Sequence, residues 1–239
     1  MKYLYPFLFS LVVFLFAIAC KQEYNSTQHG FKNTHEYPGL DEGMGAEPNT
    51  TDEGLYGGGN RWVWQKPNLV IKKLGDLTGK TVVDIGAGPF GYFAFGIAKL
   101  TNVEKVIAAD IEEDALDFII QAKEKMLPEN IRDRIEARLV KADNPMLTPG
   151  EADVVLIVNT SIYFENRKEY FKNLRRGIAP GGKIFIVDFK KRNSPVGPSL
   201  DRKISLGTIE QELKEAGYTR INSDDRTLDY QYIVTAISE

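Results

Sequence analysis

Hydrophobic and polar positions change their rhythm twice along the chain. Phe7 to Ala19 is almost wholly apolar. From about residue 20 to 60 glycines and acids dominate and no apolar period is visible. From Arg61 onward short apolar runs alternate with segments of helical period. Pro67 starts a predicted helix carrying Leu69, Val70, Ile71 and Leu74, which Gly75 ends. Thr81–Ile85 and Val106–Asp110 read as strands, with a helix between them through Phe93, Phe95, Ile97 and Leu100. A helix from Glu112 to Met126 follows, its leading acids suited to the positive helix end. Ile135–Val140 is the third predicted strand. Ala152–Val158 is apolar on both faces, the mark of a strand inside a parallel sheet. A helix over about 166–178 is closed by Pro180-Gly181-Gly182, and a strand over Lys183–Phe189 follows. Leu206–Ala216 completes the helices, and the alternation from Tyr230 to Ile237 predicts a closing strand. Repeated βαβ units of this size predict an α/β domain, a doubly wound and mostly parallel sheet. Only about ten residues separate the third strand from the fourth, too few for a good crossover helix.

The chain has 239 residues, room for one ordinary domain and an appendage. A net charge of −3 excludes nucleic-acid binding by whole-chain charge, and no nucleic-acid partner is expected. The linker is the acidic part; residues 61–239 are close to neutral. One cysteine and two histidines, His29 and His35, argue against a disulfide framework and a metal centre. The apolar stretch after Lys2 falls short of the about 20 residues of a membrane span and reads as a signal peptide over 1–19. Ala17-Ile18-Ala19-Cys20 resembles the lipobox of bacterial lipoproteins. That resemblance implies a lipid on Cys20 and a membrane-anchored, exported protein facing the periplasm. The glycines, acids and scarce aliphatics of 20–60 read as a flexible acidic tether.

Candidate chemistry lies at the first strand–helix turn, Asp84-Ile85-Gly86-Ala87-Gly88-Pro89-Phe90-Gly91. A ligand lying across strand ends needs backbone without a Cβ beneath it. Asp110 ends the next strand, 24 residues past Gly86, near the spacing of a carboxylate that binds ribose hydroxyls. A dinucleotide and S-adenosylmethionine both suit such a turn.

The string VVDIGAGPFGYF resembles the first motif of class I S-adenosylmethionine-dependent methyltransferases, and AADI the acid of their second strand. ADVVLIVNTSIYF and LRRGIAPGGKIFIVDF are similar to their fourth- and fifth-strand motifs, while Arg61, Trp64, Gln65, Lys66 and Pro67 resemble the opening of a small bacterial branch. The likeness spans 61–239 and implies a Rossmann-like methyltransferase-type domain with an antiparallel last strand. It implies S-adenosylmethionine as cofactor. Asp84, Gly86, Ala87 and Gly88 would shape the methionine pocket, and Asp110 with the adjoining Ile111 would receive the ribose. Asp143 would hold the adenine amine, Asn159 would border the sulfonium and the acceptor, and Trp64, Gln65 and Tyr163 would close the site. Two departures stand out: Phe90 separates Pro89 from Gly91, and no histidine follows Asn159. No catalytic base stands out, and the acceptor is unidentified. Two other readings share the fold: a lipid-anchored S-adenosylmethionine-binding protein without transfer activity, since the cofactor is made in the cytoplasm, and an NAD-type oxidoreductase.

Overall fold

The computed structural model describes residues 61–239. The expectations for the signal peptide, Cys20 and the tether lie outside the described residues. Helices α1 (Arg61–Gln65) and α2 (Pro67–Lys73) lead into β1 (Thr81–Ile85), α3 (Tyr92–Leu100), β2 (Lys105–Asp110), α4 (Glu113–Met126), the single turn α5 (Glu129–Arg132) and β3 (Ile135–Leu139). Then come β4 (Ala152–Val158), a 3-10 turn (Ser161–Tyr163), α6 (Arg167–Gly177), β5 (Ile178–Phe189), α7 (Leu206–Glu215), β6 (Thr219–Asp224) and β7 (Gln231–Ile237). The sheet order is β3-β2-β1-β4-β5-β7-β6. β1 to β5 run parallel, and β7 is antiparallel to both neighbours.

Alternation along the central strands sorts the core into two layers. Val154, Leu156 and Val158 of β4 face the layer built with α2, α3 and α4. Val155 and Ile157 face the layer built with α6 and α7. Both faces of β4 are therefore dry, which is why its sequence is an unbroken apolar run. The helix ends follow local chemistry. Asn166 caps α6 by accepting the Glu169 N–H at 3.2 Å, and Ser205 caps α7 by accepting the Thr208 N–H at 3.2 Å.

Two elements differ from the sequence pattern. Pro180-Gly181-Gly182 does not end a helix before a new strand; it lies inside β5, where the pairing with β4 shifts register between Ala152 and Val154. This is an irregularity that lets the strand begin at Ile178. β6 (TRINSD) has only half-buried and exposed residues and lies on the sheet edge, so it lacks the apolar signature of a strand. The short link from β3 to β4 carries no helix.

The chain leaves β1 toward β2 and β3 on one side and later fills β4, β5, β7 and β6 on the other. The crevice between the carboxyl ends of β1 and β4 is thus the topological switch point, where open α/β sheets bind ligands.

Candidate active site

A cavity of about 460 Å³ opens at this switch point. Its floor is the turn after β1. Gly86 and Gly88 both have positive φ, 73° and 65°, which glycine adopts without penalty. Their surroundings differ. A Cβ on Gly86 would meet the Thr160 side chain at 2.5 Å, whereas one on Gly88 would meet nothing within 4 Å. Gly86 is required by the protein's own packing. Gly88 presents open space to the cavity.

Asp110 is buried at the end of β2, with both carboxylate oxygens engaged by backbone donors. Oδ2 accepts the Gly88 N–H at 2.8 Å and Oδ1 accepts the Glu112 N–H at 3.1 Å. Each oxygen keeps a further lone pair for a ligand hydroxyl. The two bonds tie the glycine turn to the mouth of α4.

Asp84, in β1, is buried beneath the turn and is not part of the cavity wall. Burial pushes its carboxyl up to about 7, against the opposing pull of the Arg61 guanidinium and the Ala94 N–H in the first turn of α3; the Asp110 charge adds to the rise. Arg61 itself lies on the cavity wall, its guanidinium 4.2 Å from the centre of the Tyr92 ring.

At the end of β4, Asn159 is 3% exposed and left-handed, φ 58°, uncommon for a residue with a side chain. Its Oδ1 accepts from Gln231 Nε2 at 2.5 Å, and its Nδ2 is buried without a hydrogen bond. Beyond it Ser161 and Asp188 are buried together. Asp188 Oδ1 accepts its neighbour's N–H, from Phe189, at 2.9 Å, while Oδ2 has no hydrogen bond. Burial raises this carboxyl to about 6, opposed by the Phe189 N–H, the nearby Ser161 hydroxyl and Arg167.

Six of the residues expected at the site line the cavity: Gly86, Ala87, Gly88, Asp110, Ile111 and Asn159. Tyr163 does so as well, with Phe90, the residue inserted before Gly91. Asp143 is exposed and outside the wall; its neighbour Ala142 takes that place, and the Asp143 charge is felt by the wall residue Tyr170, whose phenol is raised mainly by burial. Trp64 does not line the cavity. It packs on Phe189, ring centres 5.5 Å apart, in a small cluster with Val196. Gln65 is fully buried and bonds Gln231 instead of closing the pocket. Tyr92, Thr160 and Tyr170 were not singled out by the sequence: the tyrosines lie at helix positions that read as core, and Thr160 is an ordinary polar residue after a strand. Among the described residues no cluster of His, Cys, Asp and Glu is arranged to hold a metal ion, and no helix is long and apolar enough to cross a membrane.

The chain belongs to the methyltransferase-domain family, whose pattern matches residues 76–229. Phosphoethanolamine N-methyltransferase 1 of Arabidopsis thaliana is 24% identical over 174 residues, 69% of this chain and 34% of that protein. The chain thus spans about a third of the length of that plant relative. The ubiquinone/menaquinone biosynthesis C-methyltransferase UbiE of Pseudomonas fluorescens is 25% identical over 173 residues, 70% of this chain and 65% of that one. A SAM dependent methyltransferase from Aquifex aeolicus is 22% identical and superposes with a TM-score of 0.67, covering 75% of this chain and 93% of its own. At that identity the likeness is one of fold: a mixed seven-stranded sheet of the class I methyltransferase type.

Proposed function

We propose that the chain is an S-adenosylmethionine-dependent methyltransferase. One observation carries this reading. A buried carboxylate, Asp110, ends β2 with a lone pair left on each oxygen, beside a glycine, Gly88, whose Cβ position is open. A vicinal pair of ribose hydroxyls suits the carboxylate, and a ligand chain crossing the turn suits the open glycine. The fit holds on these residues without appeal to any relative, and the family match supports it.

The cofactor supplies the methyl group as a sulfonium-bound electrophile, so the protein's task is to hold two reactants in line and exclude water. Asp110 orients the adenosine end. Asn159 stands across β1 from it, at the end of β4. Tyr163, Phe164 and Tyr170 form an aromatic wall, the last two stacked with ring centres 4.0 Å apart. Relatives whose names cite phosphoethanolamine and quinones suggest two acceptor classes to try. The test is calorimetric titration of the full-length chain with S-adenosylhomocysteine, then transfer of a labelled methyl group to phosphoethanolamine and to a quinol. Absence of cofactor binding overturns the reading. Binding without transfer to any acceptor would favour a binding protein that has kept the fold.

We also propose that Cys20 carries lipid and anchors an exported protein, from the leader that ends there. A single acyl chain binds only marginally, so stable anchoring requires more than one at this cysteine. Cys20→Ser is expected to leave the precursor uncleaved and unlabelled by fatty acid; normal processing would contradict the anchor.

A further inference from the structure

Asn159 is the last member of a row of buried amides that begins in α1. Gln65 and Gln231 are both fully buried. Arg61 Nε donates to Gln65 Oε1. Gln65 Nε2 donates to Gln231 Oε1 at 3.3 Å, and Gln231 Nε2 donates to Asn159 Oδ1 at 2.5 Å. A primary amide turned end for end keeps its shape and exchanges donor for acceptor, so such a row has two polarities. Arg61 selects between them. A guanidinium has donors only, so Gln65 must present its oxygen to it, and each later amide must follow. The row therefore ends on an N–H. That N–H, Asn159 Nδ2, is buried and unpartnered on a residue of the cavity wall. A buried donor without a partner is costly to keep, and the left-handed backbone at Asn159 adds strain of the kind that collects at functional sites.

We propose that Gln65 and Gln231 are positioning residues that fix Asn159 as a donor, and that this donor takes the amino-acid carboxylate of the adenosyl cofactor. The inference rests on the cofactor reading above. Sheet order supplies the direction: β2 with Asp110, β1 with the glycine turn, then β4 with Asn159. A cofactor whose ribose sits on Asp110 and which crosses the turn brings its amino-acid end to β4. At that end the ammonium is itself a donor and the sulfonium is a cation. The carboxylate is the group that accepts. Because α1 supplies both Arg61 and Gln65, the seating of α1 and the polarity of the site are one event.

Gln65→Glu tests this at a residue that does not line the cavity. The carboxylate still accepts from Arg61 but gives Gln231 nothing, so Gln231 and Asn159 both turn and Asn159 presents oxygen to the cofactor. The full-length variant is titrated with S-adenosylhomocysteine and with 5′-methylthioadenosine, which keeps the adenosine and thioether but lacks the amino-acid end. The expected result is at least about tenfold weaker binding of S-adenosylhomocysteine, with 5′-methylthioadenosine changed less than about twofold. In an Asn159→Ala background Gln65→Glu should have no further effect, since the row then ends on Gln231, which does not line the cavity. Gln231→Glu should repeat the pattern and stands in if Gln65→Glu does not fold. Equal losses for both ligands, or no loss for either, would overturn the inference while leaving the cofactor reading intact. Failure of the parent to bind S-adenosylhomocysteine would overturn both.

Discussion

The two halves of the cavity are built on different terms. On the β1–β2 side the polar groups are anchored: both Asp110 oxygens hold backbone N–H groups, and the turn itself is pinned to β2 by Gly86 and Ala87 N–H bonds to Ala109 O at 2.8 and 3.2 Å. On the β4–β5 side buried polar atoms lack hydrogen bonds: Asn159 Nδ2 on the wall, and Ser161 Oγ and Asp188 Oδ2 outside it. Buried polar groups are normally paired, so a run of orphans on one side marks where the protein is incomplete without a ligand or water. The first half is a finished cradle of the kind a common cofactor needs. On the proposed reading, the second is where orientation and acceptor choice are set.

The largest effect that would break this comparison lies within the cradle. Gly86→Val forces a branched side chain onto Thr160 in a left-handed backbone, so we expect a loss of about 4 kcal/mol in urea unfolding. Gly88→Val carries the backbone strain without the clash. It should fold, at a cost of about 1–2 kcal/mol, and lose S-adenosylhomocysteine binding in calorimetry. Equal destabilisation by the two would show that the space over Gly88 is not open, and unchanged binding would show that it is not a ligand's.

Asp84 comes next. Its carboxyl ionises near 3.8 when unfolded and at about 7 when folded, so between those values the native state holds the extra proton. Native stability therefore falls as pH rises through that window and levels off above it, by about 4 kcal/mol. Asp188 contributes in the same sense, ending near pH 6. Asp84→Asn should flatten most of the slope in denaturant melts taken from pH 4 to pH 8. An unchanged slope would mean that Arg61 and the Ala94 N–H already hold Asp84 ionised.

The smallest effect belongs to the open half. Ser161→Ala removes a buried hydroxyl that lacks a well-formed hydrogen bond and only tempers the rise of Asp188, so stability should change by less than about 1 kcal/mol. The same change should move Asp188 further up, since that hydroxyl opposes its rise; a carboxyl-detected NMR titration reads this directly. A large stability loss would mean that Ser161 is already satisfied and the half is less open than the orphans indicate.

The same division governs what the sequence disclosed. The cradle was legible because its requirements are local. A turn between strand and helix needs glycine at fixed places, and an acid must stand at the next strand's end. Burial on both faces made β4 legible as an apolar run. The open half depends on residues brought together from far apart: Gln65 and Gln231 are separated by 166 positions, and Asn159 and Gln231 by 72. Gln231 opens an alternating strand and reads as an ordinary polar position, while Gln65 looks like a pocket residue until the sheet places it beneath. Trp64 drew attention as an aromatic in a motif, but Phe189 and Val196 give it an apolar seat. Asp143 sits beside the wall without entering it, because the loop from β3 puts Ala142 there. β6 escaped notice because an edge strand with no fully buried side chain carries no apolar period.

The central claim is that Asp110 receives a ribose across the switch point, and one thermodynamic cycle tests it most directly. The affinities of parent and Asp110→Ala are measured by calorimetry for S-adenosylhomocysteine and for its 2′-deoxy analogue. Hydrogen bonds to a charged acceptor contribute roughly 1.5–3 kcal/mol, so Asp110→Ala should weaken S-adenosylhomocysteine by about tenfold or more. Removing the 2′-hydroxyl should weaken binding to the parent and make little difference to the variant. Equal losses from deoxygenation in both proteins would show that Asp110 does not touch the ribose, and would contradict the account at the residue on which it depends most.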